Sequence, residues 1–335
     1  MAEGSAAGKR SDVLITGALG AIGSYVLKRF ISEGVRPLVY DIRKDLTLVK
    51  NVEDKFDFIE GDVTDEKMFG RAIENNNITC VVHMSSALGK VCESEPKVGW
   101  HINVDGTLNV LENARKHGVK KVLYASSKAS LGHLTGEYGN PTFKPVGEDH
   151  PFRPESFYGA TKGASELMGR QYKREFGIEF AAFRFASTYG PGKMSRHGVA
   201  SGISKIIEAG IFNRPLAIKS GGDQKNDYVY NGDLGRAIYL AYKASGRLSS
   251  AYNIGSGELH TLKDVAEIVR TRHPGVDIDI GPGLVDVANA GELSYGLMDI
   301  TRAWKEIGYR PAFNLADGIA DYEKTVASVG LDHSV

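Results

Sequence analysis

Short apolar runs alternate along the first half of the chain with longer segments whose apolar positions recur at helical spacing. Residues 13–16 read as a buried strand. Ile22, Val26, Leu27, Phe30 and Ile31 fall on one face of a helix over 22–33, which Gly34 ends. The same alternation predicts strands over 36–40, 56–60, 79–84 and 121–126, with helices over 66–75 and 99–117, the last stopped by Gly118. Strands separated by helices of this length pair in parallel through right-handed crossovers, so the expected fold class is α/β, a doubly wound parallel sheet covered on both faces. Ligands bind such sheets at the carboxyl ends of the strands.

The pattern breaks over 131–154, where Pro141, Pro145, Pro151 and Pro154 punctuate a polar stretch. This reads as a long loop over the active-site end. Helix character resumes over 156–176 and a strand follows over 179–185. Beyond the Tyr189-Gly-Pro-Gly192 turn the elements become shorter. Helices are expected over 198–210, 234–244, 262–272, 300–307 and 315–329, and strands over 216–219, 228–230 and 251–254. The expected division is a disordered tail over 1–10, a dinucleotide-binding domain over 11–185 plus 224–255, and a smaller C-terminal α/β substrate lobe over 186–223 plus 256–330.

Composition narrows the function. Lys plus Arg and Asp plus Glu are 41 each, so the formal charge is zero, which argues against a nucleic-acid partner or an anionic membrane surface. No stretch is long and apolar enough for a membrane span. Cys80 and Cys92 are the two cysteines, which excludes a disulfide framework and makes a cytoplasmic protein the expectation. The nine histidines show no ligand spacing, so no metal site is expected.

The glycines of the first turn carry the first chemistry. Gly17, Gly20 and Gly23 stand three apart between strand and helix, and with Ala21 and Ile22 they form a turn that lets a diphosphate approach backbone at a helix N-terminus. Asp41 closes the second strand, 24 residues after Gly17. A carboxylate there accepts both ribose hydroxyls of an adenosine and repels a 2′-phosphate, favouring NAD over NADP. Arg43 and Lys44 nearby leave NADP open. Asp62, followed by Val63, either bonds an adenine amino group or caps the next helix.

Tyr158 and Lys162 stand four apart on the helix expected over 156–176 and project together. An ammonium beside a phenol favours the phenolate, making the pair a general acid/base. Ser126-Ser127 closes the fifth strand at the ligand-binding end, where a hydroxyl can hold a substrate oxygen.

These residues resemble the extended short-chain dehydrogenase/reductase family, the NAD-dependent epimerase/dehydratase group, over about residues 12–325. Thr16-Gly-Ala-Leu-Gly-Ala-Ile-Gly23 matches its TGxxGxxG turn, Tyr158 and Lys162 its YxxxK pair, and Ser127 its active-site Ser/Thr. Asn103-Val-Asp-Gly-Thr107 matches its NVxGT segment and Tyr252-Asn-Ile-Gly-Ser-Gly257 its YNxGSG segment. The resemblance implies a Rossmann-like domain, with Tyr158 as acid/base, Lys162 tuning it and binding the nicotinamide ribose, and Ser127 on the substrate oxygen. It places Met84, Ser85, Ser86 and Asn103 along NAD, and implies a homodimer through a four-helix bundle of the helices over 99–117 and 156–176.

Three departures bear on substrate. Ser127-Lys128-Ala129 stands where dehydratases of the family have Thr-Asp-Glu, which argues against dehydration. Ser187 stands where Arg-x-x-Asn ends in the family. Asn226-Asp-Tyr228 replaces Arg-Asp-Phe/Tyr, weakening a diphosphate grip for which the neighbouring Lys225 is no equal. Ser86, Ser127, Ser187, Lys193, Arg196, His197 and Asn226 are the candidate substrate contacts, the basic ones suited to a carboxylate or phosphate. The expected function is NAD-dependent hydride transfer at a hydroxyl or carbonyl carbon of a sugar, polyol or sugar-acid-like small molecule. The alternatives are a nucleotide-sugar 4-epimerase with tightly held NAD and a non-catalytic dinucleotide sensor.

Overall fold

The computed structural model describes residues 12–193, 202–284 and 296–332. A seven-stranded sheet forms its centre, in the order β10-β6-β5-β4-β1-β2-β3. Its strands are β1 Val13–Thr16, β2 Leu38–Asp41, β3 Asp57–Glu60, β4 Cys80–His83, β5 Lys121–Ser127, β6 Glu179–Phe185 and β10 Ala251–Ile254. Every neighbouring pair runs parallel. Strand alternation sorts the core into two layers. Val13, Ile15, Val82 and Leu123 face one side with Val26 and Phe30, whereas Leu14, Val81, Val122 and Tyr124 face the other with Phe69 and Leu111. Both faces are apolar, so the sheet is buried on both sides, as a parallel sheet requires.

The strand order reverses between β1 and β4. The turn after β1 opens helix α1 (Gly23–Ser32) and the segment after β4 leads towards α3 (Gly89–Ser94), so both project beyond the same sheet end. Helix α2 spans Glu66–Glu74, and the expected helix over 99–117 is composite. It starts at α4 (Pro96–Trp100), widens into a π turn over His101–Asp105 and continues as α5 (Gly106–Lys116). Periodicity missed α3. It packs so tightly on α4 that a Cβ on Gly99 would stand 2.8 Å from Cys92 Cα. Helix α6 (Phe157–Phe176) is capped by Ser156, whose Oγ accepts the Gly159 N–H.

The segment over 131–154 serves two ends. Gly132, His133 and Leu134 reach the large cavity at the carboxyl ends of the strands. The later part instead covers the outer edge of β10. Asn253 donates its N–H to Glu148 Oε1 at 3.0 Å and its side-chain amide to Val146 O at 2.7 Å. An uncovered sheet edge invites pairing with another chain, and this loop closes it.

Two short parallel sheets pair β7 (Ser187–Tyr189) with β9 (Tyr228–Tyr230) and β8 (Leu216–Ile218) with β11 (Ile278–Ile280). Helices α7 (Gly202–Ile211), α9 (Leu262–Arg272) and α11 (Leu315–Val329) surround a third core of Ile206, Val265, Ile319 and Tyr322. Helix α8 (Asn231–Lys243) returns to α1, where a Cβ on Gly235 would meet Tyr25 O at 2.7 Å, and α10 spans Thr301–Ile307. The three-residue strands β8 and β9 fall where strands over 216–219 and 228–230 are expected, whereas β7 and β11, equally short, lie where none is expected. The expected tail over 1–10 lies outside the described residues.

Candidate active site

Local chemistry shapes the first turn. Gly17 has φ +62°, and a Cβ there would stand 2.7 Å from Ser85 N; one on Gly23 would stand 2.1 Å from Gly17 O. Glycine alone fits both positions, and the cradle so formed lies against the start of α1, which no side chain caps. The Asp41 carboxylate accepts the N–H of Leu19 at 3.1 Å and of Ile42 at 2.9 Å, which fixes its orientation at the end of β2. Asp62 Oδ1 accepts the Thr64 N–H, while Asp65 caps α2. Of the two readings open for Asp62, capping is therefore taken by its neighbour.

A polar chain supports the segment after β4. Thr16 Oγ1 accepts the N–H groups of Met84 at 3.1 Å and Ser85 at 3.2 Å, which directs its own proton to His83 Nδ1 at 2.8 Å. At the other end Thr107 donates its proton to Asn103 O at 2.5 Å, so it accepts from His83 Nε2 at 3.1 Å. Both ends assign the same tautomer, with the proton on Nε2. Burial and the nearby Lys162 push the imidazole down to about 3, so it is neutral.

Asn103 does not reach the cavity wall. Its amide lies buried in the π turn, with Oδ1 accepting the Ala87 N–H at 2.7 Å and Nδ2 donating to Thr161 Oγ1 at 2.9 Å. It clamps the loop that carries Ser85 and Ser86 onto α6. π turns occur often at such sites.

Tyr158 and Lys162 come together as the four-residue spacing requires, Lys162 Nζ standing 5.6 Å from the Tyr158 ring centre. Nζ donates to Ala125 O at 2.8 Å. Burial holds the Tyr158 phenol up at about 12, moderated by a hydrogen bond with Ser127, and holds the Lys162 ammonium down at about 7. The simple expectation of a lowered phenol is thus not met by these two side chains alone: burial raises the phenol, and the hydrogen bond with Ser127 offsets it only in part. Alternation along β5 divides the two serines. Ser126 turns to Glu166 Oε1 at 2.5 Å, inside a buried ion pair of Glu166 with Arg184, while Ser127 faces Tyr158.

One cavity of about 1390 Å³ is lined by Gly17, Gly20, Ala21, Ile22, Gly23, Asp41, Asp62, Val63, Met84, Ser85 and Ser86. The same cavity is lined by Ser127, Tyr158 and Lys162, and beyond them by Ser187, Lys193 and Asn226. Its volume exceeds what a single small ligand needs. Dinucleotide cradle and acid/base pair therefore open into one space.

Residues 13–255 match the model of the NAD dependent epimerase/dehydratase family. The chain belongs to this family. It is an NAD-dependent enzyme of the short-chain dehydrogenase/reductase type, and the glycine cradle and Asp41 fit NAD. A putative UDP-glucose 4-epimerase of Methanocaldococcus jannaschii is 29% identical over 92% of this chain and 95% of its own. A UDP-glucose 4-epimerase of Mycolicibacterium smegmatis is 29% identical over 92% and 96%. Among solved structures, the Thermus thermophilus UDP-glucose 4-epimerase in complex with NAD superposes with a TM-score of 0.78 at 28% identity, covering 94% of this chain and 98% of that one. The Thermotoga maritima UDP-glucose 4-epimerase with UDP-glucose gives 0.81 at 25%, covering 95% and 99%.

The substrate end of this family member departs from the expected contacts. Lys225 is exposed and lies over the Phe143 ring at 5.9 Å, outside the cavity lining, so it does not stand in for the family's arginine. Arg196 and His197 lie outside the described residues. Sequence reasoning missed Lys128, whose Nζ donates to Ser187 Oγ at 2.6 Å and Asn226 Oδ1 at 2.9 Å. The available signal was that all three family departures fall on residues that meet here.

Proposed function

We propose that this enzyme oxidises a hydroxyl-bearing carbon of a sugar, polyol or sugar acid, or reduces the corresponding carbonyl, in the cavity between the glycine cradle and β7. The observation that carries the reading is the convergence of Tyr158, Lys162 and Ser127 on the space that the cradle and Asp41 also line. NAD, when bound, supplies the hydride acceptor. Ser127 and Tyr158 hold the substrate oxygen, and Tyr158 exchanges its proton. With the phenol near 12, Tyr158 holds its proton at neutral pH and is ready to donate it to a carbonyl oxygen. Taking a hydroxyl proton instead requires a charged Lys162 to stabilise the phenolate. The division at 11–185 plus 224–255, against 186–223 plus 256–330, puts Tyr158, Lys162 and Ser127 in the first domain and lets the second contribute Ser187 and Lys193 to the substrate end.

Nucleotide-sugar 4-epimerisation is the second reading, favoured by the names of the relatives. The non-catalytic sensor has no such support, since family membership and an intact Tyr158, Lys162 and Ser127 set stand against it. Incubation with NAD and a panel of free sugars, sugar acids and UDP-sugars separates the two enzymes. Stoichiometric NADH supports the dehydrogenase; conversion of a UDP-sugar without net NADH supports the epimerase. Tyr158→Phe should lower turnover by at least about 100-fold, the scale of general acid–base catalysis, with NAD binding retained. Surviving activity would remove the assignment.

The homodimer reading rests on Val98, Trp100, Leu108, Phe157 and Leu167, which are exposed on α4, α5 and α6. Sedimentation of the wild type and of Leu167→Glu tests it, with a dimer expected for the first and a monomer for the second.

A further inference from the structure

The cavity beyond Ser127 is built from residues that hydride transfer does not use. Lys128 follows Ser127 directly, and its side chain spans to Ser187 and Asn226. Ser187 lies two residues past Phe185, the register partner of Ser127 on β6. The Lys128 backbone is thus about 3.8 Å along the chain from that of Ser127, and its ammonium sits in the layer just beyond the reacting oxygen. Lys193 enters from the turn after β7. It is 7% exposed, and its partners among the described residues are the carbonyl and hydroxyl oxygens of Thr188, both uncharged.

Burial pushes both ammonium groups down to about 7. Lys193 lowers Lys128 further, and Asp227 pulls the other way. The Asp227 carboxylate is already engaged by the Ser256 N–H and hydroxyl and the Met298 N–H. Lys205 and Lys219 also line the cavity; of its acidic lining residues, Asp41, Asp45 and Asp62 follow β2 and β3 at the cofactor end, while Glu93 accepts the Tyr158 N–H and Glu155 the His133 N–H. Two buried ammonium groups that line one cavity offer positive charge to an anion bound in it.

We propose that the substrate is an acid, with a carboxylate next to the carbon that exchanges hydride, and that Lys128 and Lys193 receive that carboxylate. The inference rests on the hydride-transfer reading above and adds the substrate class to it. A diphosphate fits this end less well. Its several charged oxygens call for bidentate guanidinium forks, while lysine offers a point charge. Among the described lining residues Arg43 is the one arginine, and it stands two residues after Asp41 at the adenosine end.

The test follows the fluorescence of bound NADH in the wild type, Lys128→Met, Lys193→Met and Lys128→Arg. Each is titrated with D-gluconate and D-glycerate, whose carboxylate adjoins the hydroxyl-bearing C2, and with D-glucose and UDP. The wild type should bind the acids at least about tenfold more tightly than glucose, the scale of one hydrogen bond to a charged group. Each methionine variant should lose about tenfold or more for the acids, with NADH and UDP affinities unchanged within about threefold, and Lys128→Arg should keep most of the acid binding. Acids bound no more tightly than glucose, or methionine variants that lose UDP affinity instead, would overturn the proposal. Failure of the wild type to bind NADH would strike the hydride-transfer reading rather than the substrate class.

Discussion

Replacing Gly17 by alanine separates the two demands this position meets. Its backbone is left-handed at φ +62°, which costs an alanine roughly 1–2 kcal/mol. Its new methyl would also stand 2.7 Å from Ser85 N and 2.9 Å from Ser85 Cα, atoms fixed through the bond from the Ser85 N–H to Thr16. Overlap with a packed backbone adds about 1–3 kcal/mol. Unfolding entropy near 2.1 cal/mol/K per residue makes 1 kcal/mol worth about 1.4 °C in a chain of 335 residues, so Gly17→Ala should melt roughly 3–7 °C lower. Gly34 is the control. It has φ +78° with nothing within 4 Å, so Gly34→Ala pays the conformational cost alone, roughly 1–3 °C. Thermal melts with NAD at about 100 times its dissociation constant add a second readout, since saturation stabilises by about 2.7 kcal/mol, close to 4 °C here. Gly34→Ala should keep that shift, and Gly17→Ala should lose at least half of it. Equal melting losses in the two variants, or a full NAD shift in Gly17→Ala, would refute the cradle argument.

Three further outcomes are expected. Arg184→Met leaves the buried Glu166 carboxylate without its bidentate partner and should cost about 3–5 kcal/mol in urea unfolding, while pairing it with Glu166→Leu should restore most of the loss; a double variant as unstable as the single one would contradict this. Asp41→Ala should narrow the preference for NAD over NADP in kcat/KM by about tenfold or more, the scale of hydrogen bonds to a charged group; an unchanged ratio would remove Asp41 from cofactor selection. Lys162 and Lys193 lose their protons near pH 7 in the native chain but near pH 10 when unfolded, so between these values the unfolded chain binds more protons and the ligand-free protein should gain stability as pH rises from about 7 to 8.5. Lys193→Met should flatten that slope, measured by urea unfolding at several pH values, and an equally steep slope would show that Lys193 is charged in the native state.

Legibility in the sequence followed the range of the interactions. The glycine cradle and the Tyr158/Lys162 pair are local, one within a single turn and the other on one helix face, and both stand as the spacing implied. The strand pattern does not tell Ser127 from Ser126, and the family resemblance alone singles out Ser127; the physical reason appears once β5 is placed, because neighbouring strand residues face opposite sides and the facing Glu166 is 40 residues away from Ser126. Lys128, Ser187 and Asn226 meet across separations of 59 and 98 residues, which no periodicity reports. The segment over 131–154 read as a loop over the site because its prolines disclose irregularity but not position. Half of it is anchored on β10 by side-chain bonds of Asn253 and Glu148.

The chain from Thr16 through His83 and Thr107 to Asn103 has a consequence for the traffic of protons. Every bond in it points one way. Reversing it would cost Thr16 one of its two amide partners and Thr107 its acceptor at once. The imidazole is therefore a rigid strut with a fixed polarity, although it lies beside the ammonium of Lys162. A proton released at Tyr158 is therefore not relayed through His83: the strut holds the backbone after β4 in place and leaves proton traffic to the side chains that line the cavity.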